Sequence, residues 1–193
     1  MKFYERLINE VEYGGKVYRI RPTYDKIIKI FYVFNHDEGL LPNDYIGLCL
    51  DMLVDGEHPE DPGLLSAIMN EISEETDKKT NEPVLFDFKQ DSDLIYAAFM
   101  QAYGIDLHEE IGEMRWEKFL ALFKGLPEET EFRQIVKLRA TPVPKLDKNN
   151  GSYVRNLVKA KQAVALKKES QGDFYQGLKN IAQQLKAEAM KGR

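Results

Sequence analysis

Cysteine, histidine and tryptophan are scarce in this chain: one Cys, three His and one Trp in 193 residues. The lone Cys49 excludes an internal disulfide. Its apolar setting, Tyr45-Ile46-Gly47-Leu48-Cys49-Leu50, reads it as a small packed hydrophobe, and such cysteine usage fits a reducing cytoplasm. No apolar run approaches the roughly 20 residues that cross a bilayer, so no membrane span is expected. Met1-Lys2-Phe3-Tyr4-Glu5-Arg6 lacks the apolar stretch and small-residue cleavage site of a signal peptide. There is no Gly-x-Ser-x-Gly, no phosphate-cradling glycine loop and no dinucleotide fingerprint. Neither catalysis nor a bound cofactor is therefore expected.

The three histidines stand beside acids, in His36-Asp37-Glu38, Glu57-His58 and His108-Glu109-Glu110. No two share a helical ligand spacing, so they read as solvated loop residues rather than a metal site. Carboxylate pairs such as Asp51/Asp55 and Asp91/Asp93 invite acid–base chemistry, but with 32 acids such proximity arises by chance. Asp91 and Asp93 open a helix, where negative charge suits the dipole.

A core is available: 43% of residues are hydrophobic, with ten Phe and ten Tyr, enough for one domain or one domain plus an appendage. The formal net charge of −5 is divided unevenly. From Arg155 onward nine Lys/Arg face three acids, a net +6, which leaves −11 on the rest. A basic tail on an acidic body can lie on that body, on a neighbouring copy or on an acidic partner.

Periodicity divides the chain. Val11 and Tyr13, the turn Gly14-Gly15, then Val17, Tyr18 and Ile20 predict a β-hairpin. Thr23 caps a helix to about Phe34, with Ile27, Ile30, Phe31 and Phe34 on one face. Residues 35–39 form a turn. A second helix covers about 43–53, and a third starts with Asp61 as cap and Pro62 at its first position. Residues 74–82 are polar and aperiodic, a loop. Asp87 and Gln90 precede a helix over 91–103, apolar around more than half its circumference and so central, ended by Gly104. A helix over 112–124 carries Trp116, Phe119, Leu120 and Phe123 on one face. These read as core, with the edge at Trp116 a candidate contact surface. A sixth helix spans 128–139, with Phe132, Ile135, Val136 and Leu138 inward.

Pro142, Pro144 and Asn149-Asn150-Gly151 break the helical pattern. Two further helices follow, over about 153–170 and 174–190. The second has Phe174, Leu178, Ile181, Leu185 and Ala189 in a clean stripe with Lys and Gln opposite. The expected fold is mainly α, a bundle of about six helices with a small N-terminal β-hairpin plus a C-terminal helical extension. The expected organisation is an acidic core over 1–140, a linker over 141–151 and a basic amphipathic tail over 152–193. The candidate partner-binding residues are Phe174, Leu178, Ile181 and Leu185, the flanking Lys179 and Lys186, and Trp116. Lys159, Lys161, Lys167 and Lys168 also suit phosphates, giving a nucleic-acid-binding regulator as a subordinate reading. It ranks low because the basic footprint covers one segment and no nucleic-acid module is visible.

One string is long and unusual: Asp91-Ser92-Asp93-Leu94-Ile95-Tyr96-Ala97-Ala98-Phe99-Met100-Gln101-Ala102-Tyr103-Gly104-Ile105-Asp106-Leu107. It is followed by Trp116-Glu117-Lys118-Phe119 and by Leu122-Phe123-Lys124-Gly125-Leu126-Pro127. Together with the Gly-turn hairpin these resemble the bacteriophage gene-product-fifteen family of tailed phages and prophages, over most of residues 8–168. The pattern departs at Arg115-Trp116-Glu117, where the family has an aromatic pair, and the segment after Gln171 is less typical. Genes of the family lie between those for the tail-tube and tape-measure proteins. The resemblance thus implies a tail-assembly chaperone of the host cytoplasm during phage assembly. Its partners would be the hydrophobic tape-measure protein, tail-tube subunits and further copies of itself. It implies no catalytic residues. A structural tail-completion or connector component of the virion is the alternative.

Overall fold

The computed structural model describes residues 7–36, 42–74, 84–167 and 174–191. Its elements are β1 Glu10–Tyr13, β2 Lys16–Arg19, α1 Tyr24–His36, α2 Pro42–Leu53, α3 Pro62–Glu74, α4 Ser92–Tyr103, α5 Trp116–Lys124, α6 Glu131–Ala140, α7 Gly151–Ala163 and α8 Phe174–Lys191. The protein is mainly α with one small antiparallel hairpin, as the sequence predicts. The expected loop over 74–82 and most of the turn over 35–39 lie outside the described residues.

The chain forms two compact units. One comprises Met1–Thr80, Glu110–Ala121 and Asp173–Arg193; the other comprises Asn81–Glu109 and Leu122–Gly172. This partition differs from the sequence-based one. The residues expected to form a single basic tail are divided, α7 belonging to the second unit and α8 to the first.

In the first unit the hairpin turns on Gly14 and Gly15, whose φ angles of 58° and 75° suit a two-residue turn closed to β-carbon-bearing residues. Pairing runs Glu10↔Arg19, Val11↔Tyr18, Glu12↔Val17 and Tyr13↔Lys16. Asp61 accepts from the Gly63 amide (2.7 Å) at the start of α3 and from the Tyr13 hydroxyl (2.9 Å), tying the helix to β1. Ile27, Ile30 and Phe31 of α1, Ile46, Leu50 and Leu53 of α2, and Leu64, Leu65 and Ile68 of α3 fill the core. Helix α5 begins four residues later than the periodicity suggests. Gly112 takes a left-handed φ of 77°, and residues 114–116 run beside the entry to α1. There the Tyr24 amide donates to the Met114 carbonyl, the Trp116 amide donates to the Pro22 carbonyl, and Thr23 bridges Arg115.

In the second unit Asp87 accepts from the amides of Lys89 (3.0 Å) and Gln90 (2.7 Å), the local turn that the Asp87/Gln90 spacing suggests. Gly104 ends α4 in the left-handed region, its amide donating to the Met100 carbonyl. Within α4, Ile95, Ala98 and Phe99 are buried while Ala97 and Met100 are exposed, so the helix is half covered and not central. Phe86, Phe88, Phe123 and Phe132 stack edge-on with centroids 5.1–6.2 Å apart. Helix α6 starts at Glu131, three residues past the expected Glu128, because Thr130 caps it, its side chain accepting from the Arg133 amide. Helix α7 ends at Ala163, short of the expected 170. The next carbonyls are taken from outside: Arg139 Nε donates to Val164 (2.6 Å) and Gln90 Nε2 to Ala165 (2.9 Å).

Candidate interaction surface

The side chains that the sequence offers for chemistry have structural partners. Cys49 is buried, and burial pushes its thiol up to about 12, far from a reactive thiolate. His58 Nε2 lies 3.1 Å from the Asp51 carboxylate. His108 sits against the Tyr96 ring at 5.1 Å, and the His36 side chain lies outside the described residues. Among the described residues no three His, Cys, Asp or Glu side chains gather as a metal site.

Asp91, read from sequence as a helix-dipole acid, does more. Its carboxylate takes a bidentate ion pair from Arg139, Nη1 at 2.7 Å and Nη2 at 2.8 Å, and accepts the Asp87 amide at 3.0 Å. The two side chains are 8% and 2% exposed. The same guanidinium donates to the Leu85 and Val164 carbonyls, so one cation joins four points of the second unit. Nothing in the sequence marks Arg139 for this role except its position in the last turn of α6.

Two lysines of the subordinate nucleic-acid reading stand where sequence alone does not place them. The Lys161 ammonium donates to the Arg139 and Thr141 carbonyls (2.6 and 2.5 Å), closing the C-terminus of α6, so it is not a free phosphate contact. Lys168 lies outside the described residues, while Lys159 and Lys167 are exposed.

The proposed partner-binding residues separate into three groups. Trp116 is fully buried, stacked on Phe119, which in turn stacks on Tyr24 (centroids 5.7 and 4.9 Å). It offers no edge to a partner. Ile181 and Leu185 are buried inside the first unit, where α8 packs on α3 and the Ser66 hydroxyl donates to the Ala182 carbonyl (2.9 Å). Gly177 is buried against the Phe31 ring, at a spacing that leaves no room for a β-carbon. Ile181 and Leu185 of the α8 stripe are therefore core, because a complementary face on α3 exists that the stripe's own sequence does not reveal. Lys186 is exposed; the side chains of Phe174, Leu178 and Lys179 lie outside the described residues.

Exposed apolar side chains concentrate elsewhere. After α6, residues 142–149 are all exposed. Leu146 is 70% and Tyr153 57% exposed, with Val143 alongside. Lys145 and Lys148 are interleaved with them, and Arg155 and Lys159 continue the positive charge along α7. Asp147 organises the turn into α7, accepting from the Asn149 and Asn150 amides (2.6 and 3.0 Å). The segment is thus a held, extended strip of apolar and basic side chains. The prolines predict a break and a linker here; that the segment is an exposed surface is seen only in the structure.

Among the described residues no helix is long and apolar enough to cross a membrane. No curated protein and no solved structure matches the chain. A family model does: that of the Bacteriophage Gp15 protein matches residues 3–166, covering both halves of the hairpin, the α4 string and the Arg139–Asp91 pair, and the chain belongs to that family.

Proposed function

We propose that this phage protein is a non-catalytic tail-assembly chaperone. It covers the hydrophobic tape-measure protein in the host cytoplasm and brings tail-tube subunits to it. The observation that carries the reading is the family match over residues 3–166, joined to what the family's gene position implies. The surface is compatible with it: Val143, Leu146 and Tyr153 keep apolar side chains in water beside Lys145 and Lys148, the composition of a protein-binding strip rather than of a catalytic pocket. The buried state of Ile181 and Leu185 moves the proposed contact away from α8 and onto residues 142–153.

The test is affinity capture of the chain from phage-producing cells, with identification of what accompanies it, beside quantification of the chain in purified particles. Tape-measure and tube proteins in the captured fraction, with the chain missing from particles, support the chaperone. A fixed copy number in particles refutes it in favour of a structural tail component.

A further inference from the structure

Two short stretches of backbone edge keep free groups, and they are complementary. Pro142 and Pro144 fix their own φ and force the preceding residues out of the helical region, so the chain runs extended from Thr141, whose φ and ψ are −60° and 121°. In extended backbone, successive amides point to opposite edges. Both prolines fall on one edge, which therefore cannot pair; Val143 and Lys145 present their N–H groups on the other. Among the described residues neither N–H has a partner, while Asn150 Nδ2 donates to the Lys145 carbonyl (2.9 Å) and the Asp147 amide donates to Asn150 Oδ1 (2.8 Å), so the free stretch ends at Lys145. This is a strand able to pair on one side only.

The second edge belongs to β2. The Ile20 amide donates to the Asn9 carbonyl, so by antiparallel alternation Tyr18 and Lys16 bond to β1, while Val17 and Arg19 face away. The Arg19 carbonyl confirms that direction by accepting from the Asp55 amide (2.9 Å), which closes the outer edge from Arg19 onward and leaves it open at Val17. Val17, one step further out, is 64% exposed and opens onto a cleft of about 710 Å³ between β2 and residues 55–59. The cleft carries Glu10, Asp55 and Glu57, with Lys16 and Arg19 among them.

We infer that the β2 edge of one copy, at Val17, takes residues 142–145 of a second copy as a short added strand, so that the protein self-associates head to tail. The charges match: Lys145 and Lys148 meet the Glu10, Asp55 and Glu57 carboxylates. Donor and acceptor are different surfaces, so the contact is heterologous and propagates into a ring or an open row. A row of copies is what a long apolar client requires, and in that purpose alone the inference leans on the chaperone reading. Its test needs no client.

The experiment is sedimentation velocity of the purified full chain over a concentration range reaching the high micromolar, since an added strand makes a small interface. Val143→Pro removes a donating N–H from the inserted strand, and Val17→Pro removes one from the receiving edge. Among the described residues neither amide is used within the chain, so each variant should keep the wild-type circular dichroism and unfolding midpoint. Wild type is expected to grow with concentration; each variant alone should stay monomeric. An equimolar mixture of the two should form a 1:1 dimer and nothing larger, because only one intact donor and one intact acceptor remain. Should either substitution disturb the fold, Lys145→Glu/Lys148→Glu and Asp55→Lys/Glu57→Lys test the contact through charge: each alone should stay monomeric, and their equimolar mixture, in which both contacts are again of opposite charge, should regain concentration-dependent growth. Wild type that stays monomeric throughout, or variants that assemble like wild type, would overturn the inference. Either result leaves the client-binding reading where it was.

Discussion

Replacing Arg139 by Met tests the central packing claim for the second unit. The Arg139–Asp91 pair is almost fully enclosed, and the guanidinium also serves the Leu85 and Val164 carbonyls. Removing one member of a buried pair leaves a buried charge and costs about 3–5 kcal/mol. A carbonyl deprived of its donor adds about 1 kcal/mol where water cannot reach it. The expected loss is about 4 kcal/mol, against the ~5–15 kcal/mol that holds a typical domain. Urea unfolding followed by far-UV circular dichroism measures the loss. Hydrogen exchange should place it at residues 85–91 and 164–165, which the same side chain holds. Asp91→Asn in the Arg139→Met background should cost less than the sum of the single changes, because no charge is then left buried. A loss under about 1 kcal/mol for Arg139→Met, additive with Asp91→Asn, would refute the reasoning.

Two further outcomes follow from the first unit. Gly177→Ala should gain about 1 kcal/mol from helix propensity and lose about 1–3 kcal/mol by pushing its methyl into the Phe31 ring, so net destabilisation is expected, and a raised melting temperature would contradict the α1–α8 contact. At Asp25, burial raises the carboxyl, but the Thr23 hydroxyl, the Gly112 amide and the Lys29 charge together outweigh it and hold it below its ordinary value of 3.8. A depressed carboxyl contributes stability above that ordinary value and loses it as pH falls through the folded-state value. Asp25→Asn should therefore flatten the acid limb of the stability curve, and an Asp25 NMR titration midpoint at or above 3.8 would count against the hydrogen-bond assignment.

What the sequence made legible was governed by local chemistry. Gly14-Gly15, Asp61-Pro62 and Gly104 act within a few residues, through φ or through a cap, and each stands where the pattern predicts. The failures are long-range. Helix α5 starts late because its preceding residues bridge Thr23, and α7 stops early because Arg139 and Gln90 claim its next carbonyls. The stripe on α8 is visible in the sequence; its receptor on α3 is not, so Ile181 and Leu185, which are core, read as docking residues. Amphipathicity says that a face is covered, not by what. The candidate surface was hidden for the opposite reason: Pro142 and Pro144 were read for the helix they forbid, not for the one-sided strand they permit.

The most direct measurement of the functional account is the solubility of the tape-measure protein of the same phage, expressed with and without this chain. The account predicts that the tape measure is insoluble alone and soluble in a complex with the wild-type chain. It also predicts that Val143→Asp/Leu146→Asp, which alters only exposed side chains, returns it to the insoluble fraction. A tape measure whose solubility is indifferent to the chain, measured with a wild-type protein of normal fold, would contradict it.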